Sequence, residues 1–280
     1  LKAKILTVLF LAIVLRGNLF AADAPPELSD KTANTRRPTL FIIGDSTVRN
    51  RTAGQLGWGD VVDDYFDTNK IHVENHAIAG RSSRTFLTDG RWDKILAELR
   101  PGDFVLMQFG HNDGGALNDD SRARGSIRGV GNETQEIDNL LTKKHEVVHT
   151  YGWYMRKYVA DTKAKGATPI VFSLVPRKTW KDGKIVRSDN YRKWAIEVAR
   201  GESAAFVDLY EIIARRYEEL GSEKVNDLFG DDHTHTNRAG AEVNAACVIA
   251  GLKGLSSCAL CGCFSAKATA IEKFISGGIK

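Results

Sequence analysis

The chain has 280 residues, 42% of them hydrophobic and 26% charged, with a formal net charge of +4. That is ordinary globular composition, with enough apolar material for a large core that needs no metal or disulfide staple. Lysine and arginine are interspersed with aspartate and glutamate, which excludes a nucleic-acid footprint and leaves room for a weak preference for acidic substrates.

Lys2 and Lys4 precede an apolar run over residues 5–15, and small residues follow at Ala21, Ala22 and Ala24. This order reads as a secretory signal peptide over residues 1–24 and predicts a secreted or periplasmic protein. The run is too short to span a bilayer and Arg16 interrupts it, so no stable membrane insertion is expected. Residues 25–280 show no composition break or internal repeat and are expected to form one domain, its tail after about 258 unassigned. After a polar connector, residues 39–43 form a short apolar run that reads as a buried parallel strand. Residues 58–66 carry helical spacing, residues 71–75 a second strand, and residues 92–99 a helix stopped by Pro101 and Gly102. Residues 104–109 read as a third strand, and a long polar loop of functional type follows over 113–136. A long helix is expected over 137–165, a fourth strand over 169–173 and a helix over 190–199. A fifth strand over 205–208, a helix over 209–220 and a last helix over 237–252 complete the pattern. Strands alternating with helices demand a parallel sheet covered on both faces, with ligands bound beyond the carboxyl ends of the strands.

Four segments lie at those ends or just before the last helix. Gly44-Asp45-Ser46-Thr47 puts a serine past the first strand, although Gly-Asp-Ser is also common turn chemistry. Gly80 after the second strand either brings backbone close to a ligand or serves a plain turn. Asn112, after the third strand, offers a side-chain amide to an oxyanion or caps a turn. Asp232 lies three residues before His235, a spacing that lets the carboxylate orient one ring nitrogen and leaves the other to accept a proton from a serine. A metal-binding histidine pair or a solvated turn are the other readings of that segment.

Taken together these blocks, in this order, resemble the SGNH/GDSL hydrolases. The stretches Gly80-Arg-Ser-Ser-Arg-Thr-Phe86, Gln108-Phe-Gly-His-Asn-Asp-Gly-Gly115 and Asp232-His-Thr-His235 look like its rhamnogalacturonan acetylesterase branch. The resemblance implies a three-layer α/β/α sandwich with a parallel five-stranded sheet, flavodoxin-like. It also implies removal of acetyl esters from a pectin backbone without metal or cofactor. Carried over residue by residue, it makes Ser46 the nucleophile, His235 the base and Asp232 its orienting partner. Ser46, Gly80 and Asn112 become the oxyanion hole. Threonine after Ser46 departs from many relatives, and the tail after Cys258 does not fit the pattern.

Further residues are candidate substrate contacts. Arg81, Arg84 and Arg91, with Arg122, Arg124 and Arg128 in the long loop, suit recognition of sugar carboxylates, although a solvated face accounts for any one of them. Trp180 is the sugar-platform candidate, whereas Trp58 and Trp153 are expected in the core. His145-Glu-Val-Val-His149 matches a zinc-peptidase motif, but a third protein ligand is missing nearby, and an amphipathic helix with Val147 and Val148 on the sheet is expected instead. The pairing of Cys247, Cys258, Cys261 and Cys263 is left open: a Cys247–Cys258 bond would clip the last helix to its tail, and Cys258-x-x-Cys261-x-Cys263 is also a metal-type spacing, although no histidine or second pair follows it. The expected partner is an acetylated polysaccharide or oligosaccharide, met by a monomer. The alternatives are an acetylxylan esterase or lipase of the same fold, and a polysaccharide-binding module that has lost catalysis.

Overall fold

Every residue of Thr-Leu-Phe-Ile-Ile-Gly is buried, and this run forms β1 (Thr39–Gly44). A strand with no solvated face is what a sheet covered on both sides requires. The structure is a computed structural model that describes residues 36–187 and 190–275, so the expected signal peptide lies outside the described residues. From Arg36 onward the chain forms one compact unit.

In chain order β1 is followed by β2 (His72–Asn75), α1 (Ser83–Thr88), α2 (Arg91–Glu98) and β3 (Phe104–Gln108). Next come β4 (Thr134–Asp138), β5 (His145–His149), α3 (Tyr151–Ala164), β6 (Thr168–Phe172), β7 (Trp180–Lys181) and β8 (Lys184–Ile185). The chain continues with α4 (Asn190–Gly201), β9 (Ala205–Val207), α5 (Leu209–Leu220), α6 (Ser222–Asn226), α7 (Arg238–Lys253) and α8 (Ala266–Thr269). The main sheet has the order β2-β1-β3-β6-β9, and all its pairings are parallel. Helices α1 to α4 pack together as one layer, α5 and α7 as the other. This is the expected three-layer α/β/α sandwich with the flavodoxin-like strand order. The chain runs from β1 out to β2, then back to β3 on the other side of β1, which opens a crevice at the ends of β1 and β3.

Three segments differ from the sequence reading. Residues 58–66 form two short 3₁₀ turns, Trp58–Asp60 and Val62–Tyr65. The backbone there lies against Val48: a Cβ on Gly57 would come within 2.2 Å of the Val48 carbonyl carbon. The expected long helix over 137–165 begins only at Tyr151, where Thr150 caps it by accepting from the Trp153 N–H. Residues 134–149 instead form the antiparallel hairpin β4–β5. Ile137 and Val148 are its buried residues, and the Asn139 side chain closes the turn by accepting from the Leu141 and Thr142 N–H groups. The third difference is the short hairpin β7–β8, turned by Asp182 and Gly183 with φ of 50° and 74°. Asp-Gly with both residues at positive φ is the favoured two-residue hairpin turn. Helix α7 is also not the last, since α8 follows it.

The cysteine pairing that the sequence left open is resolved without a clip to α7. Cys258 is bonded to Cys261, and Cys247 is a free thiol buried within α7. Burial pushes the Cys247 thiol up to about 12, so it behaves as a small apolar side chain.

Candidate active site

Ser46 stands two residues past β1, on a turn in which the N–H groups of Val48 and Arg49 both donate to the Asp45 carbonyl. Side chains lock this turn from beneath. Trp58 donates its indole N–H to Gln108 Oε1 at 2.7 Å, and Gln108 Nε2 donates to Thr47 Oγ1 at 2.7 Å. Thr47 donates its hydroxyl to Asp45 Oδ1 at 2.7 Å. The threonine that departs from the family pattern is therefore a link in the buried chain that orients its neighbour. Trp58 is fully buried, as expected of a core residue.

His235 arrives from the segment between α6 and α7. The Thr236 hydroxyl donates to the Leu56 carbonyl at 2.8 Å and the Leu56 N–H to the Thr236 carbonyl at 2.9 Å, which ties this segment to the loop after Ser46. Ser46 Oγ lies 2.8 Å from His235 Nε2 across 189 positions of sequence. His235 Nδ1 lies 2.6 Å from Asp232 Oδ2. The other Asp232 oxygen accepts from the backbone N–H groups of Thr234 at 2.6 Å and His235 at 2.7 Å. Burial alone would raise the Asp232 carboxyl, but these hydrogen bonds outweigh it and hold it at about 2. An ionised carboxylate only accepts, so the ring proton sits on Nδ1 and Nε2 is left to accept from the Ser46 hydroxyl.

Gly80 has φ of 78°, a left-handed conformation that a side chain would strain. Asn112 is buried and donates through Nδ2 to the Arg81 carbonyl at 2.8 Å, which leaves the second amide hydrogen free for another acceptor. Ser46, Gly80, Asn112 and His235 line one cleft of about 540 Å³. Next to Asn112, the fully buried Asp113 receives on Oδ1 the Ser83 N–H at 3.1 Å, the Ser83 hydroxyl and the Ser126 hydroxyl at 3.1 Å, and the Ser83 N–H reaches Oδ2 as well at 3.3 Å. It thus joins the start of α1, the end of β3 and the long loop. Burial raises its carboxyl to about 6 against those bonds.

The arginine expectations divide. Arg81, Arg122 and Arg124 line the cleft with Ser46. Burial, then the nearby Arg122 and Arg81, lower the Arg124 guanidinium from its usual range. Arg84 does not reach the cleft: it is fully buried and forks onto Glu146, both bonds at 2.7 Å, while donating to the Leu117 and Gly125 carbonyls. Arg91 pairs with Asp89, and Arg128 borders a different cavity. Trp180 is corrected too, since its place in β7 leaves it half-buried against the core and outside the cleft lining. Arg177, five residues past β6, lines the cleft and donates to Thr234 Oγ1 at 3.2 Å. The sequence signal for it is its position after a strand end. Among the described residues, no aspartate or glutamate lines the cleft.

The His-Glu-x-x-His segment lies on strand β5, not on a helix. Four residues of strand separate the two histidines by roughly 13 Å, too far for one metal ion. His145 pairs with Asp138, Glu146 with Arg84, and the His149 ring stacks 3.8 Å from Trp153. Val148 is buried, but Val147 is exposed. No cluster of three metal-ligand side chains occurs among the described residues, and no helix among them is long and apolar enough to cross a membrane.

The family model of the GDSL-like Lipase/Acylhydrolase family matches residues 42–243, a span that takes in Ser46, Gly80, Asn112, Asp232 and His235. The chain is 34% identical over 208 residues to a rhamnogalacturonan acetylesterase of Emericella nidulans, covering 74% of this chain and 81% of that protein. It is 30% identical over 224 residues to YesY of Bacillus subtilis, a probable rhamnogalacturonan acetylesterase, covering 77% and 93%. The crystal structure of the Bacillus subtilis protein YxiM superposes with a TM-score of 0.63 at 28% identity, covering 78% of this chain. The chain spans 56% of that longer protein.

Proposed function

Because the chain belongs to the GDSL-like lipase/acylhydrolase family and is an ester hydrolase, we propose that it removes acetyl groups from an acidic plant polysaccharide of the rhamnogalacturonan type, outside the cytosol. One observation carries this reading. The Ser46–His235–Asp232 line opens into a cleft lined, among the described residues, by four arginines, Arg81 (itself paired with Asp89 at 3.2 Å), Arg122, Arg124 and Arg177, and by no carboxylate. Such a cleft attracts an anionic glycan and holds its carboxylates by planar forks. Ala79 and Leu141 are the hydrocarbon side chains of the lining, which suits an acetyl group and gives a long acyl chain little to bury against. The names of the two relatives support the same substrate. The Cys258–Cys261 disulfide supports action in an oxidising compartment.

The chemistry then runs in two halves. His235 Nε2 takes the Ser46 proton as Oγ attacks the acetyl carbonyl. The Ser46 and Gly80 N–H groups and the free amide hydrogen of Asn112 stabilise the tetrahedral oxyanion. The imidazolium, steadied by the ionised Asp232, returns the proton to the departing sugar oxygen. Water repeats the sequence on the acetyl-serine and releases acetate.

Acetate release from acetylated rhamnogalacturonan, acetylated xylan and nitrophenyl esters of rising chain length tests the reading. The expected order places rhamnogalacturonan above xylan, with nitrophenyl esters falling off beyond about four carbons. Ser46→Ala is expected to abolish turnover on all of them. Faster release from xylan, a preference for long acyl chains, or near-normal turnover by Ser46→Ala would overturn it.

A further inference from the structure

Leu140, Leu141 and Val147 are 49%, 45% and 41% exposed, and all three lie on the β4–β5 hairpin or its turn. Of the three, Leu141 lines the catalytic cleft, facing the same space as Ser46, Ser121 and Arg122. It is the one side chain of that lining that is both purely hydrocarbon and larger than alanine.

The tip that carries Leu141 is held by a connected chain of bonds. Buried Arg84, in α1, forks onto Glu146 of β5. Asn139 donates to Glu146 Oε2 at 2.8 Å and accepts from the Leu141 N–H at 2.9 Å. Asn118 of the long loop accepts from the Leu140 N–H at 2.8 Å and donates to the Asp138 carbonyl at 3.0 Å. α1 begins three residues after Gly80, so the Leu141 backbone is tied to the segment that carries Gly80. An exposed leucine on a backbone fixed in this way is pre-organised, and binding against it costs little ordering entropy.

We propose that Leu141 is a specificity-determining residue, seating the apolar C–H face of a sugar ring of the substrate chain beyond the acetyl ester. A carboxylate gains nothing from a leucine, and the arginines already serve it. A pyranose also presents a flat hydrocarbon face, and clefts that bind such rings combine a few oriented polar groups with apolar surface. The proposal rests on the acetylpolysaccharide reading.

The test compares kcat/KM for an acetylated rhamnogalacturonan oligosaccharide with kcat/KM for p-nitrophenyl acetate, in wild type, Leu141→Ser, Leu141→Met and Val147→Ser. The oligosaccharide-to-nitrophenyl ratio is expected to fall about tenfold in Leu141→Ser, carried by KM rather than kcat. Leu141→Met, equally apolar, is expected to keep the ratio within about twofold. Val147→Ser, on the same hairpin but outside the cleft, leaves it unchanged. An unchanged ratio in Leu141→Ser, or an equal fall in Val147→Ser, overturns the role of Leu141 while leaving the acetylesterase reading intact. Failure of wild type to release acetate from the oligosaccharide overturns both.

Discussion

Asp232, bonded to the His235 ring, and Asp113, the neighbour of Asn112 in sequence, are shifted in opposite directions, and stability responds to each with opposite sign. Asp232 is held at about 2 against an unfolded value near 3.8, so its bonds stabilise the fold above about pH 4 and are lost as pH falls toward about 2. Asp113 is raised to about 6, so between about pH 4 and 6 the folded state keeps a proton that the unfolded chain has released. Its ionisation therefore costs stability, from nothing below about pH 4 to about 3 kcal/mol above about pH 6. All three donors reach Oδ1, with the Ser83 N–H shared with Oδ2 at 3.3 Å, so an asparagine carbonyl at Oδ1 keeps the bonds to that oxygen while its amide NH2 meets the Ser83 N–H at a cost that does not vary with pH. Asp113→Asn is expected to gain thermal stability relative to wild type as pH climbs through that window, then level off. A difference in melting temperature that stays flat from about pH 4 to 7 would refute the assignment.

At the scale of elements, the β4–β5 hairpin and the long loop before it depend on one buried cation. Arg84 neutralises Glu146 and satisfies the Leu117 and Gly125 carbonyls. Burial alone would raise the Glu146 carboxyl, but bonds from Arg84 and Asn139 overcome it and hold the group below its usual range. Arg84→Ala leaves a half-buried carboxylate and two carbonyls without their donor, and is expected to cost about 3–5 kcal/mol in denaturant unfolding. A loss under about 1 kcal/mol would show that the hairpin and loop hold themselves. The hairpin was legible in hindsight from Asp138-Asn139 and Thr142-Lys143-Lys144, set between β-branched stretches. Apolar residues spaced ambiguously between periods of two and 3.6 hid it inside a helix pattern. Lys181-Asp-Gly-Lys184 was a plainer hairpin signal, obscured by the two-residue length of its strands.

For the molecule as a whole, electrostatics at the cleft follow from three strand-end or loop segments that together bring four arginines to one rim. Exposed charges are screened within a Debye length that shrinks from about 14 Å to about 4 Å between roughly 0.05 M and 0.5 M salt. kcat/KM on an acetylated acidic oligosaccharide is therefore expected to fall several-fold over that range. An uncharged nitrophenyl ester is expected to change by less than about twofold. Equal salt response of the two substrates would remove the arginines from substrate attraction.

Local order in this protein is written locally. The apolar runs at 40–43 and 104–107, the caps at Thr150 and Asn237, and the Asp232-to-His235 spacing each act through neighbours a few positions away, so sequence alone determined the five strands of the main sheet, most helices and half of the catalytic line. The function of an arginine is set by what lies across from it in space. Arg84 and Arg81 are three positions apart, yet one is sealed against Glu146 and the other faces the cleft. Only tertiary packing decides between them, because burial and charge pairing are properties of long-range contacts that no local pattern encodes. The same holds for Leu141, an exposed turn leucine until the fold sets it beside the serine.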